Sequence, residues 1–284
     1  MYRAEHPNPQ FERDTYTCLN GEWEFEIGKS SEKMNASLSS KIEVPFCMES
    51  KLSGIHNTDF ITDCMYSREI EVKQSDLEGR FVLHFGAVDY KTEVYVNGEK
   101  AGEHKGGYTA FEVEITPFVT VGKNRITVVI HDDITENVPS GKQSRKRESF
   151  GCFYTRVTGI WQTVWLERTP KEYIKQIKFY PNIADGSVRT EIISEGKAAT
   201  EITVYYDGRQ VGKATGDGYY RHDYEIKLAE KHLWEIGNGR LYDVIIKFGD
   251  DEVKSYFGLR EVKFEKRKFL LNGKSIFQRL VLDQ

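Results

Sequence analysis

The segment Phe153-Tyr154-Thr155-Arg156-Val157-Thr158-Gly159-Ile160-Trp161-Gln162-Thr163-Val164-Trp165-Leu166-Glu167 carries the densest structural signal in the chain. Gly159 marks a tight turn, and Gln162–Leu166 reads as a strand. Trp161 and Trp165 fall on one run with Gln162 and Val164 between them. Core packing is the first expectation for both rings, because buried Trp dominates the energetics of small β cores. Stacking on a bound ligand is the alternative. Arg156, ahead of the turn, suits a buried ion pair as well as a polar ligand contact. Thr169-Pro170 then closes the strand and marks a domain boundary.

Similar short segments fill the chain on both sides. Glu22–Ile27, Ser67–Val72, Arg80–Phe85, Thr92–Val96, Phe111–Ile115 and Arg125–His131 read as strands from their alternation of apolar and polar side chains. Asn97-Gly98 supplies the positive φ angles of a two-residue hairpin turn. After the boundary come Ile174–Tyr180, Ser187–Ile193, Glu201–Tyr206, Tyr219–Ile226, Tyr242–Phe248 and Glu252–Phe257. Asp207-Gly208 and Gly249-Asp250-Asp251 mark hairpins, Gly216-Asp217-Gly218 and Gly237-Asn238-Gly239 mark turns, and Leu228–Trp234 is expected to form one short helical turn. A last piece predicts a hairpin over Phe269–Phe277 around Asn272-Gly273, followed by a strand over Gln278–Leu282. Many short strands with turn signals between them indicate an all-β chain, a sandwich or barrel before the boundary and a second set of strands of the size of an immunoglobulin-like sandwich after it.

The composition excludes several classes. The 284 residues exceed one small domain, and a net charge of −4 leaves no basic footprint for nucleic acid. Aromatic residues make up 13%, with 16 Tyr and 16 Phe, which suits half-buried β faces. Ser144-Arg145-Lys146-Arg147 is the one tight basic run, and it reads as a solvated loop. Cys18, Cys47, Cys64 and Cys152 form no Cys-x-x-Cys pair, so no zinc or redox motif is expected and the thiols should be reduced. No apolar run follows the first residues and none approaches a membrane span, so the expected location is cytoplasmic, with no membrane partner. No cofactor and no metal are expected.

The Phe153–Glu167 segment resembles the signature that ends the N-terminal sugar-binding domain of glycoside hydrolase family 2, which holds β-galactosidases, β-glucuronidases and β-mannosidases. Other landmarks follow in the family's order: His6–Phe11, Leu19–Phe25, Val44-Pro45-Phe46, Tyr66-Ser67-Arg68, Phe85–Tyr90, Val94–Gly98, His104–Phe111, Leu233-Trp234, Leu241-Tyr242, Phe257–Arg260 and Leu271–Lys274. The resemblance implies a jelly-roll, galactose-binding-like sandwich over residues 1–170. An immunoglobulin-like sandwich follows over 171–264, and a stub of a (β/α)8 barrel, its hairpin and first strand, over 265–284.

In the family a pair of barrel carboxylates about 5–5.5 Å apart performs retaining hydrolysis. No catalytic residue is therefore assigned to this chain. The resemblance implies a non-catalytic front portion of a glycosidase acting on terminal β-linked sugars, β-galactosidase first and β-glucuronidase next. The alternatives are a stand-alone carbohydrate-binding module and a structural or interaction module. Loops of the sugar-binding domain flank the active-site mouth in relatives, and by position these map to His104, Tyr108, Phe153 and Arg156. Some relatives carry an aspartate where Phe153 stands. His104 is expected in a flexible loop and Tyr108 at a strand start. Carbohydrate is the expected partner, and the apolar C-terminal tail suggests a homo-oligomer. Asp132 and Asp133 adjoin in an extended segment and must point to opposite faces, so neither they nor Asp89 are expected to form a catalytic pair.

Overall fold

A computed structural model describes residues 2–282, and among them every regular element longer than five residues is a strand. No helix among them is long and apolar enough to cross a membrane. Two compact units divide the chain: Met1–Pro7 with Thr15–Thr169, and Asn8–Asp14 with Pro170–Gln284.

The first unit contains β1 (Thr17–Cys18), β2 (Gly21–Ile27), β3 (Ser40–Val44), β4 (Asp63–Val72), β5 (Arg80–Phe85), β6 (Val88–Asp89), β7 (Lys91–Val96), β8 (Glu99–Lys105), β9 (Phe111–Glu114), β10 (Gly122–His131), β11 (Gly159–Ile160) and β12 (Val164–Thr169). A six-stranded sheet runs β3-β2-β4-β10-β7-β8 and a four-stranded sheet runs β1-β12-β5-β9. All pairs are antiparallel, and the two sheets form the jelly-roll sandwich. Period-two patterning explains the core. Trp23 and Phe25 of β2, Val94 and Val96 of β7, and Ile126, Val128 and Ile130 of β10 point inward. Phe81, Leu83 and Phe85 of β5 and Val164 and Leu166 of β12 meet them from the other sheet. The Trp23 indole N–H is satisfied inside this core by the Leu19 carbonyl at 2.7 Å. Asn97 (φ 52°) and Gly98 (φ 83°) make the β7–β8 turn, as their dipeptide predicts.

The second unit contains β13 (Tyr173–Asn182), β14 (Ser187–Tyr206), β15 (Arg209–Lys227), β16 (Tyr242–Phe248) and β17 (Asp251–Phe257). β14 and β15 are long and serve two layers each. The first part of β14 pairs with β13 and with the end of β15. After a register shift between Ile193 and Lys197, its second part pairs with the start of β15 and with β16, which pairs with β17. Ile174, Val188, Ile192 and Ile226 of one layer and Ile202, Val204, Val244, Ile246 and Val253 of the other bury a single core. The Gly216-Asp217-Gly218 segment lies inside β15, where a turn was expected. The reason is its position, close to where the strand passes between layers, and glycine tolerates that bend. Leu228–Trp234 forms no helical turn, since the Tyr242 hydroxyl and the Leu259 carbonyl take its backbone N–H groups at His232 and Trp234.

Asn8–Asp14 belongs to this second unit, although the first domain was expected to run unbroken over 1–170. Glu12 and Lys254 exchange backbone hydrogen bonds of 2.9 and 2.8 Å. The Arg13 guanidinium is buried on Asp251, with Nε–Oδ1 and Nη2–Oδ2 both 2.9 Å, and donates to the Ile174 carbonyl at 2.6 Å. A buried charge stays only where it is paired, and the partner here lies 238 residues away.

The end of the described chain forms a small sheet of β18 (Val262–Glu265), β19 (Lys268–Leu271) and β20 (Lys274–Ser275). The hairpin around Asn272-Gly273 is present. Gln278–Leu282, expected as a strand, has no ladder partner among the described residues and is not one. Leu280, Val281 and Leu282 are exposed rather than buried.

Candidate functional site

One end of the six-stranded sheet gathers the polar chemistry of the first unit. Register places Asp63 beside His131, His131 beside Lys91, and Lys91 beside Lys105 in one cross-strand row. The residues just past this row leave the sheet together. Asp132 donates its N–H to the Thr62 carbonyl at 2.8 Å, and Gly106 donates to the Tyr90 carbonyl at 3.1 Å. The short β6–β11 ladder brings Gly159 opposite Asp89. Segments near residues 62, 89, 107, 132 and 159 thus meet at one place, although the chain separates them widely.

Three carboxyls are buried there: Glu49, Asp89 and Asp132. Asp89 Oδ2 accepts from Gln143 Nε2 at 2.6 Å, while Gly107 packs so closely on the same carboxyl that a Cβ would stand 2.3 Å from Oδ1. Asp132 Oδ2 accepts from the Thr158 hydroxyl at 3.0 Å, and Glu49 accepts from the Thr158 N–H at 3.2 Å. Burial pushes the Asp89 carboxyl up to about 7, and the Asp132 charge adds to the rise. Burial also raises Glu49 and Asp132. Asp133 lies past the end of β10, and its carboxylate accepts from the Thr135 N–H at 2.8 Å.

Gln143 is the hub of the loop above. It also donates to the Tyr108 hydroxyl at 3.2 Å and accepts from the Val157 N–H at 2.9 Å. Tyr108 in turn donates to the Ser140 carbonyl at 2.9 Å, and its ring meets Trp161 edge-on at 6.1 Å. Trp161 lies half-buried outside the core and donates from Nε1 to the Gly107 carbonyl at 2.8 Å. Trp165 is buried, also outside the main core, and stacks on His84 at 4.8 Å.

The four residues implied by the resemblance do not come together in one cluster. Tyr108 belongs to the Gln143 cluster. Phe153 stacks on Phe150 at 5.1 Å in the adjoining hairpin. Arg156 is buried and makes no carboxylate pair among the described residues. It donates to the carbonyls of Thr58, Ser144 and Lys146, and it lies over the Phe60 ring at 4.1 Å, so it anchors the loop. His104 lies on β8 rather than in a flexible loop. Its ring stacks on Phe111 at 4.1 Å, burial lowers its pKa, and it helps line a groove of about 630 Å³ with Lys29, Asp63, Lys91, Lys105 and His131.

Residues 16–170 match the family described as glycosyl hydrolases family 2, sugar binding domain. The chain belongs to glycosyl hydrolase family 2. A β-glucuronidase of Streptococcus agalactiae is 27% identical over 93% of the chain and 47% of its own length. A β-galactosidase of Thermoanaerobacter pseudethanolicus is 28% identical over 74% of the chain and 30% of its own length. Among solved structures, a β-glucuronidase from an uncultured Clostridium sp. superposes with a TM-score of 0.75 at 25% identity, covering 94% of this chain and 48% of that one. The chain thus spans about half or less of the length of these relatives.

Within this family 2 chain, sequence reading missed Gln143 and Glu49 altogether. Neither sits in a recognisable motif, and Gln143 acquires its role only when the fold brings Asp89, Tyr108 and Val157 around it. The three buried carboxyls are held beneath the loops, with their hydrogen-bonding capacity partly committed to Gln143 and Thr158. Among the described residues no group of three or more His, Cys, Asp or Glu side chains is arranged to hold a metal ion. What the end presents outward is a set of aromatic rings over a braced amide and hydroxyl network, an arrangement suited to a polyhydroxylated ligand.

Proposed function

We propose that this chain is the non-catalytic, carbohydrate-facing front portion of a family 2 β-glycosidase. The whole protein would hydrolyse terminal β-linked sugars with retention of configuration, on β-glucuronides or β-galactosides, the two activities its relatives are named for. The observation that carries the reading is the braced end of the first sandwich. Tyr108, Trp161 and the loop around Gln143 project from the sugar-binding domain with their polar contacts already made, so they form a ready wall for a site whose acid and nucleophile come from elsewhere. The second unit fits the immunoglobulin-like module of such enzymes, because β14 and β15 each divide between two layers and so supply four of its strands. A stand-alone carbohydrate-binding module is the second reading, favoured only by the exposure of the aromatic rings.

Turnover separates them. The 284-residue chain is expected to release no nitrophenol from the β-galactoside, β-glucuronide, β-mannoside or β-glucoside above the buffer rate. The protein encoded by the whole reading frame is expected to cleave one of them. Turnover by the chain alone, abolished by Asp132→Asn, would overturn the reading, as would inactivity of the whole protein on all four.

A further inference from the structure

We propose that the outer face of the β14-β16-β17 layer binds an amino sugar, a pyranose whose ring lies between Tyr205 and Tyr256 and whose ammonium is met by Asp243. Every residue of this site belongs to the second unit, so the inference does not rest on the carbohydrate-facing reading of the first.

Register builds the site. Tyr205 of β14 lies opposite Asp243 of β16, and Asp243 lies opposite Tyr256 of β17. Directly opposed residues share a face, so ring, carboxylate and ring stand side by side. The next row on that face sets Ile245 opposite Lys254, and Lys254 opposite Glu12 of the Asn8–Asp14 segment. That segment is pinned along β17. The Ser255 hydroxyl donates to the Gln10 carbonyl at 2.6 Å, and Gln10 Nε2 donates to the Tyr256 carbonyl at 3.1 Å. Pro9 and Glu12 thereby wall one side of a groove of about 490 Å³ that also takes in Tyr205, Asp243, Ile245 and Tyr256.

The width of the row and its charge select the ligand. Neighbouring strands lie about 4.8 Å apart and their side chains stand roughly perpendicular to the sheet, which sets the two tyrosines about 9.6 Å apart. A ring thickness of about 3.5 Å leaves roughly 6 Å between them, room for one saturated sugar ring and more than a flat group would fill. Both tyrosines are half-buried, and among the described residues neither ring is stacked on another ring or covered by a cation. Aspartate is the shorter side chain, so the Asp243 carboxylate lies at the base of this slot. It is exposed and has no ion-pair or hydrogen-bond partner among the described residues. Lys254 is held by Asp14 at 2.6 Å, which leaves Asp243 and Glu12 to make the groove anionic. A protonated amine between the rings gains the attraction of their faces as well as the carboxylate. A neutral sugar would use the rings and hydroxyl contacts alone, and an acidic one would be repelled.

The test is calorimetry on the 284-residue chain at about pH 5.5, where a sugar amine is protonated, with four probes: a glucosamine tetrasaccharide, its N-acetylated form, a neutral galactan tetrasaccharide and tetralysine. The glucosamine tetramer is expected to bind about tenfold more tightly than either neutral tetramer at low salt, and that advantage should shrink near 0.5 M salt. Asp243→Asn should erase the tenfold difference and leave neutral binding intact. Tyr205→Ala with Tyr256→Ala should weaken all three sugars. Where the Tyr variant misfolds, Asp243→Asn still decides, since that side chain is exposed. Equal binding of the amine and neutral forms, amine binding unmoved by Asp243→Asn, sugar binding unmoved by a folded Tyr variant, or failure of the glucosamine tetramer to bind overturns the inference. Tetralysine binding as tightly as the glucosamine tetramer would make the groove a general cation site and overturns it too. None of these outcomes bears on turnover by the whole protein, which tests the proposed function separately.

Discussion

Asp89→Asn should make the first unit more stable at neutral and alkaline pH and leave it little changed below pH 3.8. Asp89 is 2% exposed and its carboxyl is raised from 3.8 to about 7, first by burial and then by the charge of Asp132. Between those two values the folded state holds a proton that the unfolded chain has released. Stability is therefore full below pH 3.8 and falls as pH rises toward 7. At 1.36 kcal/mol per pH unit the loss is on the order of 4 kcal/mol as an upper limit. Glu49 and Asp132 are raised by burial and act in the same direction. Carboxyls lowered by basic or hydrogen-bonding partners, such as Asp63 and Glu24, act oppositely in acid, so the wild-type profile alone is not diagnostic. The difference between wild type and Asp89→Asn isolates the one group. The amide keeps an oxygen for Gln143 and carries no charge. Urea denaturation followed by Trp fluorescence reports mainly the first unit, which holds Trp23, Trp161 and Trp165 of the four tryptophans. The expected result is a gain for the variant that grows between pH 5 and pH 8. A difference that stays constant across that window would refute the burial argument.

Two further outcomes follow from packing. Arg13→Met or Asp251→Asn should each cost the second unit roughly 3–5 kcal/mol, because each strands a buried charge, while the double change Arg13→Met with Asp251→Leu should cost less than the sum; chemical denaturation followed at Trp234 measures all three. Trp23→Ala should cost about 3–5 kcal/mol as a core deletion, and Trp161→Ala less than half of that, because Trp161 is half-buried outside the core; equal shifts in the denaturation midpoint would contradict the placement of Trp161.

Local features were legible in the chain. Tyr242–Phe248 is a strand with the bounds its alternation predicts, and Asn97-Gly98 and Asn272-Gly273 turn where their backbone preferences demand. Period and turn chemistry act over a few residues, so they survive without tertiary context. The family signature was legible for the same reason, as a run of neighbouring side chains around one turn.

Features that depend on residues far apart in the chain emerged with the fold. β8 (Glu99–Lys105) lacks an alternating apolar face, and it became a strand because the turn before it laid it against β7. His104 was carried into that strand with it. Gln278–Leu282 has the composition of a buried strand and, among the described residues, no neighbour to pair with, so composition alone does not make it one. Asn8–Asp14 joined the second unit because the Arg13 charge requires Asp251. The site itself depends on Gln143 reaching Asp89, 54 residues away, and on Thr158 reaching Asp132 and Glu49. Buried polar groups must find partners wherever the fold offers them. No periodicity in the chain records which partner that will be.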